Sequence, residues 1–455
     1  CGHDLPFIKV QKVKLTEERA TLTKCPKCEN VSPMGILRRF FVGQEAVTSV
    51  VGTSLFESLP SYTLERIETA KTDDDGFDDD GFDDETQFVA KDVGAKQFIA
   101  FSDSRQAAAF YSSYLDQTYT NIVYKRLVAE TLEHREYAAE GKPLTDFVED
   151  LIAEFERYGM DTGKSVRREA WKAALHEIED NNGITSMYKL GMISFDYVAN
   201  YKGNSKFKLS QDEMHEICAL FADWMLSEGA IEYPEVISKD ERSFFKPNGV
   251  EYAYTLSNAD PKKHTLSFMP SKQGFSNKRI AYLTKVLKKK SVDADLESIE
   301  KLVKAIWDRF FIDKTAMMSV RDGEYRIMAE NVIVRKPSKL FICRKCHRIT
   351  PHNVENVCAS YKCDGTLEPL IPDEYFKDNH YYKLYHNLDI RPLRVVEHTA
   401  QLDRDTAYKY QNEFKLKQID ILSCSTTFEM GVDVGSLETV FMRNVPPSPA
   451  NYAQR

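Results

Sequence analysis

No stretch of the chain approaches the roughly 18–20 consecutive apolar residues that a membrane-spanning helix needs, and no secretory signal is visible. A transmembrane role is therefore not expected, and the chain reads as a cytoplasmic protein. A phosphate loop of the form GxxxxGK[ST] is also missing, as is an acidic Mg²⁺ box. The nearest approach, GMDTGKS at 159–165, is one residue short between its glycines. It follows the helical run FVEDLIAEFERY where a strand is required, so it reads as a helix end. The chain alone is not expected to hydrolyse a nucleoside triphosphate. Excess positive charge is lacking too, since 61 Lys and Arg face 70 Asp and Glu for a net charge of −9. The run DDDGFDDDGFDDE at 73–85 holds nine acidic residues and no basic one, so the remainder is electrically balanced. Self-repulsion and the repeated DDDGF unit predict a solvated acidic linker over 71–86. A Ca²⁺ loop is the sharper alternative, but the alternate-position ligands and distal Glu of an EF-hand are not there. Mimicry of DNA charge is another alternative that nothing in the sequence tests.

What is present suits a globular protein of more than one domain: 455 residues, 42% hydrophobic and 29% charged. The runs IDILS at 419–423 and LETVFM at 437–442 are short, mostly apolar and β-rich, the signature of strands buried in a parallel sheet. Between them lies the hydroxyl-rich loop that opens SCSTTFEMGVDVG. Ligands of open α/β sheets sit at the carboxyl ends of the strands, where Ser425, Thr426 and Thr427 can offer hydroxyls and backbone N–H groups to phosphate. Gly431 and Gly435 permit close backbone approach, and Asp433 offers a carboxylate to a ribose hydroxyl. An ordinary βα loop with a capping Ser or Thr is the plainer alternative. The same strand, polar turn and helix design occurs in QFIAFSDSRQAAAFYSSYL at 97–115, with Ala107, Ala108, Tyr111 and Leu115 at helical spacing.

Cysteine spacing gives a second line. Cys343 and Cys346 form a CxxC and Cys358 and Cys363 follow in CASYKC, a spacing suited to tetrahedral zinc. LFIC before and GTLEPL after suggest a zinc ribbon, whose metal replaces a core that so short a segment cannot bury. Two disulfides are the alternative; intracellular thiols stay reduced. His347 and His352 read as support or surface rather than ligands. The earlier cluster, Cys1, His3, Cys25 and Cys28, forms either a Cys₃His site or a four-Cys site lacking one ligand, which would bind metal weakly. Cys1 is no natural start residue, so both ends are expected to be those of a fragment. Cys218 and Cys424 stand alone in apolar surroundings and read as small buried hydrophobes.

In order, FIAFSDSRQ, VVEHTAQL at 395–402, STTFEMGVDVG and the terminal QR resemble motif IV, the segment between motifs IV and V, motif V, and the start of motif VI of superfamily 2 helicases. SDSRQAAAFYSSYL and NVPPSPANYAQR, with the cysteine clusters, look like the large bacterial DEAD/DEAH-box helicases of phage-defence and DNA-repair operons. Examples are the Druantia E subunit, the DISARM helicase and the mitomycin repair helicases. These motifs cover about a fifth of the chain. The resemblance implies that Ser425, Thr426 and Thr427 touch the nucleic-acid backbone and that Ser102, Ser104 and Arg105 lie near the tracked strand. For Arg105 a helix-start salt bridge is the alternative. It also places Gly431 and Asp433 by the nucleotide ribose and Gln454 facing ATP, with the Mg²⁺-bearing first lobe elsewhere in the same protein.

The expected architecture is α/β: a RecA-like parallel-sheet lobe interrupted by a large helical insertion and zinc-ribbon-like modules. Residues 1–45 form the first zinc module, 46–118 the first part of the second RecA-like lobe, 119–335 the mainly helical insertion, 336–390 the zinc ribbon, and 391–455 the rest of the lobe, cut inside motif VI. Within the insertion, LGMISFDYVANY with a following helix and EGAIEYP suggest a winged-helix-like unit, or amphipathic helices with short hairpins. The segment NKRIAYLTKVLKKKS at 277–291 suggests a basic face for phosphate, or a solvated basic helix. His134, His176, His215 and His264 show no metal spacing. Two functions follow: the second motor lobe of an ATP-driven DNA helicase or translocase, with DNA and possible defence subunits as partners, or a non-catalytic zinc-stabilised scaffold that binds DNA or protein.

Overall fold

The computed structural model describes residues 44–59, 96–160, 165–179, 185–197, 202–238, 240–241, 252–311, 318–321, 323–399, 402–425 and 439–444. Helix α1 (Gln44–Ser58) is followed by strand β1 (Phe98–Ser102) and the long helix α2 (Arg105–Leu132). Then come α3 (Arg135–Ala139), β2 (Lys142–Pro143), α4 (Leu144–Arg157), α5 (Val166–Glu179), β3 (Ser194–Tyr197) and α6 (Gln211–Leu226). Strands β4 (Ala253–Thr255) and β5 (Thr265–Ser267) precede helices α7 (Lys278–Lys289) and α8 (Leu296–Ile306). Six strands follow: β6 (Met318–Arg321), β7 (Glu324–Ile327), β8 (Val332–Arg335), β9 (Leu340–Cys343), β10 (Ile349–Thr350) and β11 (Leu367–Leu370). Short helices α9 (Pro372–Tyr375) and α10 (His380–Asn387) lead into β12 (Val395–His398), α11 (Arg404–Lys415), β13 (Ile421–Ser425) and β14 (Val440–Met442). The described residues fall into two compact units, one drawn from Val42–Glu130, Leu151–Ala173 and Lys383–Arg455, the other from Thr131–Asp150 and Ala174–Tyr382.

The first of these units is built on a four-stranded sheet in the order β12-β13-β1-β14, all parallel. Strand β1 sits between β13 and β14, in register from Phe98 opposite Ile421 to Ser102 opposite Ser425. Every residue of β1 and β13 is buried, as expected of apolar runs inside a parallel sheet. Ile99, Phe101, Phe414, Ile419, Leu422 and Cys424 form its core. Burial of each large side chain there stabilises the lobe by about 1.5–3 kcal/mol. Polar side chains fix the crossovers: Ser423 Oγ donates to the Ala108 carbonyl at 2.8 Å, and Gln97 Nε2 donates to the carbonyls of Phe414 and Ile419. Cys424 is buried, and burial drives its thiol well above the usual range, the behaviour of an inert apolar residue.

The second unit combines helices with three small sheets, ordered β2-β8-β3, β5-β4-β7-β6 and β10-β9-β11. Its central helix α6 starts at a capping box in which the Ser210 side chain accepts from the Glu213 N–H and Glu213 accepts from the Ser210 N–H. From there almost every residue between Ile217 and Leu226 is buried. Phe221 stacks on Trp224 with centroids 5.4 Å apart, and Trp307 packs against Phe268 and Tyr325 at 4.8 and 5.1 Å. The winged-helix pairing is not formed: β3 pairs antiparallel with β8, whereas Ile231 bridges Ile327. Strands from beyond α8 supply both partners, so the two segments never meet as a hairpin.

Helix α7 corrects a second expectation. Asn277 caps it by accepting from the N–H groups of Arg279 and Ile280. Its cations are mostly committed inward rather than offered to phosphate. Arg279 is 2% exposed, lies over the Phe268 ring at 4.2 Å and donates to the Phe268 carbonyl. Lys278 pairs with Glu228 at 2.7 Å, and Lys290, the cap, pairs with Glu213 and Glu355. Lys288 and Lys289 alone among them stand exposed. The amphipathic pattern was legible; the burial of cations on the apolar side was not.

Candidate functional site

Parallel strands point their carboxyl ends the same way, and here those of β1, β13 and β14 gather Ser102, Ser425 and Arg443 on one edge of the sheet. The side chains of Ser102 and Ser425 are fully buried. Arg443 Nη1 donates to Ser102 Oγ at 2.8 Å and to the Ala107 carbonyl at 2.7 Å, and its guanidinium lies 4.4 Å from the centre of the Tyr111 ring. Arg443 therefore ties the end of β14 to the turn between β1 and α2. Ser104 caps α2, its hydroxyl accepting from the Ala107 N–H at 3.1 Å. Ser104 and Arg105 are exposed at the helix start, whereas the Ser102 hydroxyl is taken up inside the lobe. No ion pair joins Arg105 to another described residue. Thr426, Thr427, Gly431, Asp433 and Gln454 lie outside the described residues, as do Cys1, His3, Cys25, Cys28 and the acidic tract. Sequence reasoning passed over Arg443; an Arg directly after the apolar run VFM was the available signal.

In the other unit, β9 and β11 pair antiparallel and bring Cys343 and Cys346 to Cys358 and Cys363. All four sulfurs lie within 4.8 Å of one another. Zinc held by four sulfurs at about 2.3 Å would set them about 3.8 Å apart. The observed separations are 3.8 Å for Cys343 with Cys363 and 3.5 Å for Cys346 with Cys358, too long for disulfides, and the thiols are free. Backbone N–H groups two residues on, from Lys345, Ser360 and Gly365, each donate to the sulfur of Cys343, Cys358 and Cys363 at 3.4 Å. A Cβ at Gly365 would collide with Cys343 Sγ, so glycine is required where the two loops close. Hydrogen bonding from Cys358 pulls the Cys346 thiol down to about 4, while burial pushes Cys363 up to about 11. The donor set and spacing fit a metal.

Beside this knuckle, His352 is clamped by helix α6. Its Nδ1 lies 2.9 Å from Glu216 Oε2 and its Nε2 3.0 Å from Asp223 Oδ2. Asp223 is 3% exposed and also accepts from Tyr188 at 2.7 Å and Tyr197 at 2.6 Å. With a carboxylate at each ring nitrogen, both nitrogens donate and the imidazole is a cation. Burial opposes that charge, but the ion pairs outweigh it and lift His352 from 6.5 to about 10. A raised folded-state value means that the stabilisation is complete below about pH 6.5 and is lost as pH rises through about 10. His352→Gln is thus expected to cost stability at pH 6 and much less near pH 10, read by urea unfolding at both; an equal deficit at the two pH values would exclude a charged His352. Sequence reasoning treated His352 as doubtful and did not single out Asp223, although an acid amid the apolar run of α6 marked it. A nearby polar pair, His215 with Asp196 at 2.6 Å, is completed by Arg335 at 2.8 Å. His215 is thereby a structural partner of Asp196, in agreement with its lack of metal spacing.

Comparisons with known proteins bear on the parallel sheet. Residues 374–455 match the helicase conserved C-terminal domain. The chain is 31% identical over 170 residues to the Druantia protein DruE of Escherichia coli (strain UMEA 4076-1), an alignment covering 32% of this chain. The chain spans only 9% of the length of that relative. No solved structure matches. Among the described residues no helix is long and apolar enough to cross a membrane. The parallel sheet and the matched residues agree: residues 374–455, which supply β12, β13 and β14, are similar to a helicase conserved C-terminal domain, and part of the chain is similar to DruE.

Proposed function

We propose that this chain supplies the second motor lobe of an ATP-dependent DNA helicase or translocase acting in bacterial anti-phage defence or DNA repair. The observation that carries this reading is the placement of β1 between β13 and β14, which brings FIAFSDSRQ and the strand ahead of STTFEMGVDVG to one sheet edge. In this reading the first lobe of the same protein binds MgATP, and this lobe closes over it. Gly431 lets the main chain approach the nucleotide, Asp433 accepts from a ribose hydroxyl, and Gln454 faces the phosphates. Thr426 and Thr427 serve the nucleic-acid backbone, with Ser104 and Arg105 exposed for the same strand, while Ser425 and Ser102, both buried at their strand ends, act as supports rather than contacts. Zinc held by Cys343, Cys346, Cys358 and Cys363 fixes the ribbon, and the Cys1, His3, Cys25 and Cys28 set takes a second ion. DNA is the partner, in the cytoplasm, along with other subunits of a defence system.

DNA-stimulated ATP hydrolysis by the full-length protein tests this directly. Its absence, with DNA binding retained, would leave the non-catalytic zinc-stabilised scaffold. Within the motor reading, Thr427→Ala is expected to leave ATP turnover in place and to slow strand separation about tenfold, the worth of one hydrogen bond of about 1.4 kcal/mol made during stepping. Unwinding at the wild-type rate would sink the assigned contact.

A further inference from the structure

The four-cysteine knuckle does not hang on the insertion as a separate arm; cations clasp it to helices α6 and α7. Lys285, in the middle of α7, reaches the second half of the knuckle. Its Nζ donates to the main-chain carbonyls of Cys358 at 2.5 Å, Cys363 at 2.9 Å and Ser360 at 3.2 Å. An ammonium has three donors, so this single loop consumes its entire capacity. One turn beyond, Lys290 joins Glu213 at the start of α6 to Glu355 of the ribbon, at 2.5 and 3.0 Å. From the ribbon side, His352 reaches Glu216 and Asp223 on α6.

The three carbonyls that receive Lys285 converge because the chain from Cys358 to Cys363 is bent back on itself, with Lys362 in the left-handed region at φ 60°. Both ends of that bend are cysteines whose sulfurs belong to the cluster. The cluster's own packing supplies little else to hold the bend: its core consists of Cys343, Cys358, Cys363 and Leu367, with Phe341 and Cys346 against it. If the sulfurs part, the carbonyls part, and a half-buried ammonium loses all three acceptors at once. Conversely, a site prearranged by Lys285 meets the ion with less left to order.

We propose that metal capture by the four cysteines and the packing of helix α7 are energetically coupled through Lys285, which acts as a positioning residue for the metal site without touching the ion. The proposal rests on the metal reading of the cluster. Linkage makes the coupling reciprocal: whatever factor Lys285 contributes to metal affinity, the metal returns to the docking of α7. Partners of metal ligands that lie one layer out are commonly worth about 10–100-fold in affinity.

The experiment has two arms, both on the whole 455-residue chain. In the first, zinc affinity is measured by competition with a chromophoric chelator for the wild type, for Lys285→Met, which keeps the length of the side chain but removes its donors, and for Lys289→Met on the exposed face of the same helix. Lys285→Met is expected to bind zinc about 10–100-fold more weakly, with Lys289→Met at the wild-type value. In the second, hydrogen exchange across residues 278–289 of the wild type is followed with zinc bound and after chelation, an arm that does not depend on any variant folding. Faster exchange of α7 on zinc removal is expected. Equal affinity of Lys285→Met and wild type, or exchange in α7 indifferent to zinc, overturns the coupling while leaving the metal site intact. A wild-type chain that binds no zinc overturns the metal reading and the coupling with it.

Discussion

Cys346→Ser is expected to empty the knuckle and unfold the ribbon between Leu340 and Leu370 while leaving the parallel-sheet unit folded. Structural zinc contributes on the order of 10–16 kcal/mol to small domains that have no other core. The ribbon approaches that case, because three of the four residues in its sulfur cluster are cysteines of the site itself and only a few other apolar side chains, such as Leu340 and Val354, are buried with them. Without the ion, four thiols packed within 4.8 Å have no partner able to take up their charge, and the antiparallel pairing of β9 with β11 has little apolar area behind it. Zinc content by atomic spectroscopy should fall to zero at this site, and limited proteolysis should open cuts within 340–370. Chelation of the wild type should reproduce both. Unaltered protection of the ribbon in a zinc-free variant would show that the loops are held by hydrogen bonds alone.

The second large effect is expected at Arg443. Arg443→Ala removes a guanidinium that is 8% exposed and leaves the buried Ser102 Oγ and the Ala107 carbonyl without this donor. Hydrogen bonds to a charged group are each worth about 1.5–3 kcal/mol, and the stacking on Tyr111 adds about 1 kcal/mol. A loss of at least about 4 kcal/mol in the stability of the parallel-sheet unit is therefore expected, measured by denaturant unfolding. Arg443→Lys should recover only part of it, since an ammonium can replace the Nη1 donor but not the planar guanidinium packed on the Tyr111 ring. If the motor reading holds, the same change should also weaken DNA binding, because the turn that Arg443 anchors presents Ser104 and Arg105. A variant within about 0.5 kcal/mol of wild type would mean that the sheet edge is held by β1 and β13 alone.

Both effects arise where sequence and tertiary structure divide the information. Apolar runs in FIAFS and IDILS announced buried strands, as burial on both faces demands, although the second strand begins two residues later than expected, at Ile421, and runs to Ser425. The Cys343 to Cys363 spacing announced a four-thiol cluster of the kind that could hold a metal, and the structure gathers the four sulfurs within 4.8 Å of one another. Helices in 97–115, in FVEDLIAEFERY and in 277–291 followed from their apolar spacing, whereas the caps Ser210, Asn277 and Asp403 were seen only in the structure. In contrast, NKRIAYLTKVLKKKS showed its periodicity but not the fate of its charges. A lysine looks the same in sequence whether it faces water or, like Lys285, a set of carbonyls donated from a segment much later in the chain.

Local chemistry thus settled which segments become strands and helices and which cysteines gather, since those outcomes depend largely on neighbours close in sequence. The tertiary structure alone decided that β1 lies between β13 and β14, that Arg443 answers Ser102, that His352 is a cation between Glu216 and Asp223, and that β3 pairs with β8 instead of closing a wing. Each is a contact between segments distant in the chain. Its free energy comes from removing polar groups from water against one particular partner, and no periodicity in the sequence records which partner that will be.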